Sequence, residues 1–363
     1  MTSSDGRFVI SRPSSTDATV LRVVDTETRA FLDVVSDFQP RRAHPRDLAF
    51  FGLTSMQTLP SGAFVGVATR LDLGGLHAFD LCPNRSTHQV DITADGATLL
   101  ARCESGELVV AGAVTGAVRR RTVMPAGSQT MSSTADGAAV YLLADTANAP
   151  VELRDTTTGA VVDSITAPAG CISTLAGASS DRSKLILVCR VTPSAPTPSF
   201  GLYLFDIAAR RFDNMGGVTR GVQISPDNTR MHVIDFRPAR LGLPATGNLR
   251  EVDIASGLTT WNVPFIGEVV VSYAPLAPAL GAAVAGGRVD LTWTLPLASP
   301  AVTRYVLEIG SGPGQANLGT IDLGTTSSFR ATGVPAGTYY VRLRGANYGG
   351  TGAVSNELRI DVQ

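Results

Sequence analysis

The chain is poor in the groups on which most enzymes and targeting signals depend. Its 363 residues hold one lysine, Lys184, and eight glutamates, four histidines and four cysteines, while aromatic residues make up 6% and charged residues 17%. Basic and acidic residues balance at 30 and 31, so no global field gathers polyanions. The few aromatics do not interleave with the arginines, and nucleic acid is not an expected partner. No apolar run approaches the roughly 18–20 residues that span a bilayer, so membrane insertion is not expected either. Neither a Gly-x-Ser-x-Gly elbow, a His-Glu-x-x-His helix, an EF-hand loop nor a Walker loop occurs. Cys-x-x-Cys and Cys/His ligand spacings are also missing. The expectation is therefore no catalytic residue, no metal and no cofactor.

What the chain does have is turn formers: 37 glycines and 21 prolines beside 44% hydrophobic residues. That composition favours many short strands. A unit recurs along the first three quarters. An Asp/Gly turn opens it, as in Ser4-Asp5-Gly6, Ala94-Asp95-Gly96, Ala135-Asp136-Gly137, Ser180-Asp181-Arg182 and Ser225-Pro226-Asp227-Asn228, with Pro60-Ser61-Gly62 a weaker copy. A short apolar strand follows, such as Ala139–Leu143 or Lys184–Val188. A second turn comes after an aspartate, in Asp155-Thr156-Thr157-Thr158-Gly159 and Asp253-Ile254-Ala255-Ser256-Gly257, with degenerate copies at Asp25–Arg29 and Asp206–Arg210. Asp and Gly suit these places because tight turns need positive φ or a side chain that bonds its own backbone. A spacing centred near the mid-forties fits four strands of about five residues with their turns.

This pattern, with Val140-Tyr141-Leu142 ahead of Asp155-Thr156-Thr157-Thr158-Gly159, resembles YVTN-type bacterial β-propeller repeats over residues 1–275. Six Asp/Gly turns imply six blades, with seven as the alternative. The chain opens at a turn between the first and second strands of a blade, and Glu268–Ala274 aligns with Gly221–Ser225 as the strand that completes it. Closure of the ring this way would leave no exposed edge.

Cys103 and Cys189 each fall eight residues after a turn aspartate. Cys171 and Cys189 are symmetric about residue 180, which would set them opposite each other in a hairpin. Two bridges are expected, Cys82–Cys103 and Cys171–Cys189. Disulfides belong to oxidising compartments. The start, Met1–Gly6, lacks a basic and an apolar leader region, so the expected address is extracellular or cell-surface with a leader already removed.

After a Pro/Ala/Gly-rich connector, residues 276–363 change style. Val289-Asp290-Leu291-Thr292-Trp293, Val302–Ile309 and Thr338–Arg344 alternate apolar and polar as half-buried antiparallel strands do. This stretch resembles an immunoglobulin-like fibronectin type III β-sandwich: Trp293 matches the second-strand core Trp, Tyr305 the third-strand Tyr and Tyr339 the tyrosine corner. The all-β expectation is thus a propeller, 1–275, followed by a fibronectin type III domain, 276–363, with the latter as a spacer.

For function, the segment Pro40–Asp47 is read, by comparison with those propeller repeats, as a loop leaving an outer strand for the next inner one. On that reading Arg41, Arg42, His44 and Arg46 share a rim with Arg190, Arg220, Arg237 and Arg240. Arginine suits bidentate carboxylate or sulfate contacts and stacking on sugars, so the rim is expected to bind a glycan or protein ligand. The leading expectation is a non-catalytic binding or adhesion protein. An extracellular propeller enzyme (glycoside hydrolase, lyase or lactonase) and a self-assembling structural subunit stay open as alternatives.

Overall fold

The computed structural model describes residues 3–11, 20–35, 38–45, 49–58, 64–72, 74–83, 85–125, 129–144, 146, 148–168, 171–191, 201–216, 221–237, 246–266 and 271–363. Among them there is no helix, and every strand pair is antiparallel. The strands group in chain order. The first sheet is β1 (Phe8–Ser11), β2 (Val20–Asp25) and β3 (Phe31–Val35). Five four-stranded meanders follow. The second sheet holds β4 (Gln39–Ala43), β5 (Phe50–Thr58), β6 (Phe64–Asp72) and β7 (Gly75–Phe79). The third holds β8 (Thr87–Ile92), β9 (Thr98–Cys103), β10 (Glu107–Gly112) and β11 (Val118–Val123). In the fourth are β12 (Gln129–Ser133), β13 (Ala139–Ala144), β14 (Val151–Asp155) and β15 (Val161–Ile165). The fifth consists of β16 (Cys171–Ala178), β17 (Lys184–Val191), β18 (Gly201–Asp206) and β19 (Arg211–Asn214). The sixth has β20 (Gly221–Ile224), β21 (Arg230–Arg237), β22 (Thr246–Asp253) and β23 (Thr259–Ile266). The opening strands β4, β8, β12, β16 and β20 each touch the next in that order. Repeated four-stranded meanders in this arrangement are consistent with a β-propeller.

The turns that punctuate the repeat are stitched alike. A Ser or Thr hydroxyl donates to the aspartate two residues on: Ser3 to Asp5 (2.6 Å), Thr93 to Asp95 (2.6 Å), Thr134 to Asp136 (2.8 Å), Ser179 to Asp181 (2.7 Å) and Ser225 to Asp227 (2.6 Å). The same hydroxyl accepts the amide five residues on, at 2.9–3.1 Å, from Phe8, Thr98, Ala139, Lys184 and Arg230. The aspartate in turn accepts the amide two residues beyond it, from Arg7, Ala97, Ala138, Ser183 and Thr229. The second turn type is pinned by ion pairs from the start of the neighbouring strand: Arg7–Asp25 (2.9 Å), Lys184–Asp206 (2.6 Å) and Arg230–Asp253 (2.7 Å). The chain's one lysine therefore has a repeated structural place.

Both faces of each interior sheet are apolar because neighbouring sheets pack on each side. Alternate side chains of one strand serve different clusters. Leu99 and Ala101 of β9 pack with Phe51 and Phe79, while Leu100 packs with Met131, Val140 and Leu142. Tyr141 and Leu143 of β13 face Leu185, Leu187 and Phe205; Ile186 faces Met231 and Val233.

Two expectations meet the structure at the cysteines. Cys82 and Cys103 are bonded, with Cα atoms 5.5 Å apart. Cys189 is also disulfide-bonded, and the Cys171 side chain lies outside the described residues. The backbone register sets Cys171 across from Val191, and Cys189 across from Ser173, not the two cysteines directly opposite. Ala178 faces Leu185 beside the turn, so the hairpin is centred past residue 180, and the bulge between Leu175 and Gly177 recovers only part of that offset. The first sheet has three strands among the described residues. Of the segment expected to complete it, 268–270 lie outside the described residues and 271–274 form no strand.

The C-terminal strands form a separate pair of sheets: β24 (Ala279–Ala285), β25 (Arg288–Thr294), β26 (Arg304–Gly310), β27 (Gly319–Gly324), β28 (Ser328–Ala331), β29 (Gly337–Asn347), β30 (Gly350–Val354) and β31 (Leu358–Val362). One sheet runs β24-β25-β28 and the other β27-β26-β29-β30, with β31 also on β29. Between them lies a single apolar cluster around Leu291, Trp293, Tyr305, Leu307, Val341 and Leu343. Trp293 and Tyr305 meet edge-on at 5.4 Å, and the Tyr339 hydroxyl donates to the Pro335 carbonyl at 3.1 Å.

Candidate functional site

Pro40–His44 is not part of an outer-to-inner loop, and Arg46 and Asp47 lie outside the described residues. Gln39–Ala43 is β4, the opening strand of the second sheet, and His44 begins its turn into β5. The His44 amide donates to the Ala49 carbonyl at 2.8 Å, as the Thr93 amide does to Thr98 at 3.0 Å. His44 thus stands where the other sheets carry Ser or Thr, which is why the pattern hid this copy. The misplacement divides the expected rim. Arg41, Arg42 and His44 lie toward the turns that open each sheet. Arg190 and Arg237 lie near the far ends of β17 and β21, away from those turns, and their side chains are outside the described residues. Arg46, Arg220 and Arg240 are also outside them.

At the turn-bearing end the opening strands surround a cavity of about 590 Å³. Its wall comes from five of the six repeat sheets' turns and strands, including Ser4, Arg41, Arg42, His44, Arg182 and Gln223. The linker residues Val271–Tyr273 and the C-terminal loop Leu297–Pro300 complete it. Small and apolar residues such as Gly177, Ala178, Ile186 and Val222 fill much of the rest, and no carboxylate is among the lining residues described.

Behind this wall sits one aspartate that sequence reasoning missed. Asp91, on β8, is wholly buried. Its Oδ1 accepts from Arg42 Nε at 2.7 Å, and its Oδ2 accepts from the Ser133 amide (2.7 Å) and hydroxyl (2.9 Å). Arg182, from the turn after β16, lies 3.5 Å from the same carboxylate and donates to the Ser132 hydroxyl and the Ile92 carbonyl. Burial pushes the Asp91 carboxyl up, but Arg182, Arg42 and the Ser133 amide outweigh it and hold it at about 2. Four sheets are tied together by this one anion. Gly96 makes room for the neighbouring His44 ring: its φ is +77°, its carbonyl oxygen lies 3.0 Å from His44 Nε2, and a Cβ there would strike the ring.

A second polar group anchors the linker. His232 Nδ1 is 2.7 Å from the Tyr273 hydroxyl, and its Nε2 is 3.2 Å from Glu251. Burial lowers the His232 pKa despite Glu251, which favours the neutral ring. The tautomer that satisfies both contacts donates from Nε2 to Glu251 and accepts the Tyr273 proton on Nδ1. Burial also pushes the Tyr273 phenol up, which suits an anchor and not a nucleophile. Nothing local in the sequence signals the partners of His232, which lie 19 and 41 residues away.

No group of three or more metal-ligating side chains occurs among the described residues. The fold and cavity together describe an all-β protein with a cation-lined pocket where its repeat sheets converge. No protein-family model matches the chain, and no curated protein matches it. Among solved structures it is similar to hydrazine synthase of Kuenenia stuttgartiensis, with 15% identity and a TM-score of 0.37 over 79% of this chain and 68% of that one. At that level the likeness carries no functional argument.

Proposed function

We propose that the protein is a secreted or cell-surface binding protein that takes a glycan in the cavity at the centre of its repeat sheets. In this reading the six sheets up to Ile266 are six blades of a closed ring. Residues 276–363 form a fibronectin type III module, supported by the Trp293–Tyr305 contact and the Tyr339–Pro335 bond. The Cys82–Cys103 bridge supports an oxidising address.

One observation carries the binding reading: a 590 Å³ cavity whose wall offers guanidinium, hydroxyl and amide groups beside apolar surface. Binding is favoured over catalysis because the titratable wall groups are structurally engaged, Arg42 and Arg182 with Asp91 and His44 with the Gly96 backbone. Ala298 sits half-buried in the turn over the cavity and belongs to no apolar cluster, so Ala298→Trp fills the cavity from outside the core. Wild-type protein should mark discrete glycans on an array, and Ala298→Trp should lose them. A blank array, or equal binding by the variant, refutes the proposal.

A further inference from the structure

We infer that the cavity selects an acidic saccharide, one that presents a sulfate or carboxylate to Arg41 with the Arg42–Arg182 pair behind it. This rests on the binding reading above and names the ligand's charge. The argument is a local charge count. Arg42 and Arg182 share one carboxylate, Asp91, so this trio keeps one positive charge. Arg41 adds another: its side chain is exposed, and its Nη2 donates to the Gln39 amide oxygen at 3.1 Å. No carboxylate among the described lining residues offsets them. The whole chain carries a net charge of −1, so this excess belongs to the cavity and not to a general basic surface.

Guanidinium groups match the paired oxygens of sulfate and carboxylate, and an apolar wall strengthens their field. The Ser4 hydroxyl, in the same wall, is buried with no hydrogen-bond partner, a group that a ligand oxygen or hydroxyl would satisfy. The saccharide part follows from size and lining: a cavity of 590 Å³ is larger than a free inorganic anion needs, and the exposed Gln223 and Ser180 add amide and hydroxyl groups to the wall.

Titration calorimetry on the full chain tests this with three probes: a sulfated disaccharide, its unsulfated parent and sodium sulfate. The sulfated sugar should bind at least about tenfold tighter than its parent, and weaken as salt rises. Sulfate alone should compete with it. Arg41→Ala should lose on the order of tenfold to a hundredfold for the sulfated sugar and nothing for the parent. Arg41→Lys should fall between, since it keeps the charge and loses the fork. The exposure of Arg41 keeps folding out of the comparison, and unchanged melting checks that. Equal binding of the two sugars, or an Arg41→Ala protein that binds like wild type, overturns the charge assignment. In that case loss of both sugars in Ala298→Trp would leave the binding reading standing. Failure of every probe overturns the assignment too, and with a blank array removes the binding reading as well.

Discussion

The repeat sheets and the C-terminal pair of sheets bury their apolar surface in opposite ways. The pair keeps it between its two layers, in one cluster centred on Trp293 and Leu343. The repeat sheets spread it over five clusters, each between consecutive sheets, and leave polar groups where the opening strands converge. Sheets that pack on both faces have no need of an apolar axis, so the middle is free to hold charge. That is why the cavity and the Asp91 cluster lie among the repeats. The C-terminal pair has a filled middle, and contributes to the site only through a loop, Leu297–Pro300.

The hardest blow to this contrast is Asp91→Ala. It removes the anion that Arg42, Arg182 and Ser133 share and leaves two guanidiniums facing each other in a buried place. A loss of about 3–5 kcal/mol is expected from the repeat sheets, with the C-terminal pair's transition unmoved. The native pH profile carries the same signature. The folded carboxyl, at about 2, lies below its ordinary value of 3.8, so its contribution is complete above pH 4. It is then lost as the pH falls through 2, by about 2 kcal/mol. The gap between wild type and variant in calorimetric melts should therefore narrow by about 2 kcal/mol as the pH falls from 5 to 2. A variant as stable as wild type at pH 5 would show that the centre is not held by this anion.

Opening the Cys82–Cys103 bridge should cost less. The bond closes a loop with a sequence separation of 21, worth about 3 kcal/mol in the chain-entropy description. All four cysteines precede residue 190, so Cys82→Ser with Cys103→Ser should lower the denaturant midpoint of the repeat sheets alone. A parallel fall in the C-terminal transition would mean that the two regions unfold as one body.

How much of this was legible in the sequence depended on how far apart the partners lie. The Ser/Thr-x-Asp turns could be read because each closes within five residues, and the Cys82–Cys103 pair because Cys103 keeps the place it has in the repeat. The second sheet was misread because His44 replaces the hydroxyl that marks the other turns, and Arg41 and Arg42 were assigned to a loop as a result. The Cys171–Cys189 register slipped because the turn is centred beyond residue 180, with Ala178 across from Leu185, and no local residue marks that offset. The cluster at the centre gave no local signal at all. Arg42 and Arg182 are 49 and 91 residues from Asp91, and only the convergence of the opening strands brings them together. A lone aspartate in Gln89-Val90-Asp91-Ile92 reads as an ordinary polar position on a strand until its neighbours around the axis are known.

The smallest expected effect concerns the seam between the two regions. The Tyr348 hydroxyl, in the turn from β29 to β30, donates to Glu27 at 2.6 Å, while the Tyr348 amide donates to the Asp5 carbonyl at 2.9 Å. Asn347 adds a bond from Nδ2 to the Tyr273 carbonyl at 3.0 Å. Tyr348→Phe removes the hydroxyl and keeps the backbone bond and the ring near Arg7. Glu27 and Tyr348 are both exposed, so solvent replaces the lost bond cheaply and the melting of either region should shift by less than about 1 kcal/mol. Asn347→Ala together with Tyr348→Phe should separate the unfolding of the two regions, because the side-chain bonds from Asn347 to the Tyr273 carbonyl and from Tyr348 to Glu27 are then gone. If the double variant still unfolds in one step, the seam is not what couples the regions, and the roof over the cavity must be held by the linker and by His232 beneath Tyr273.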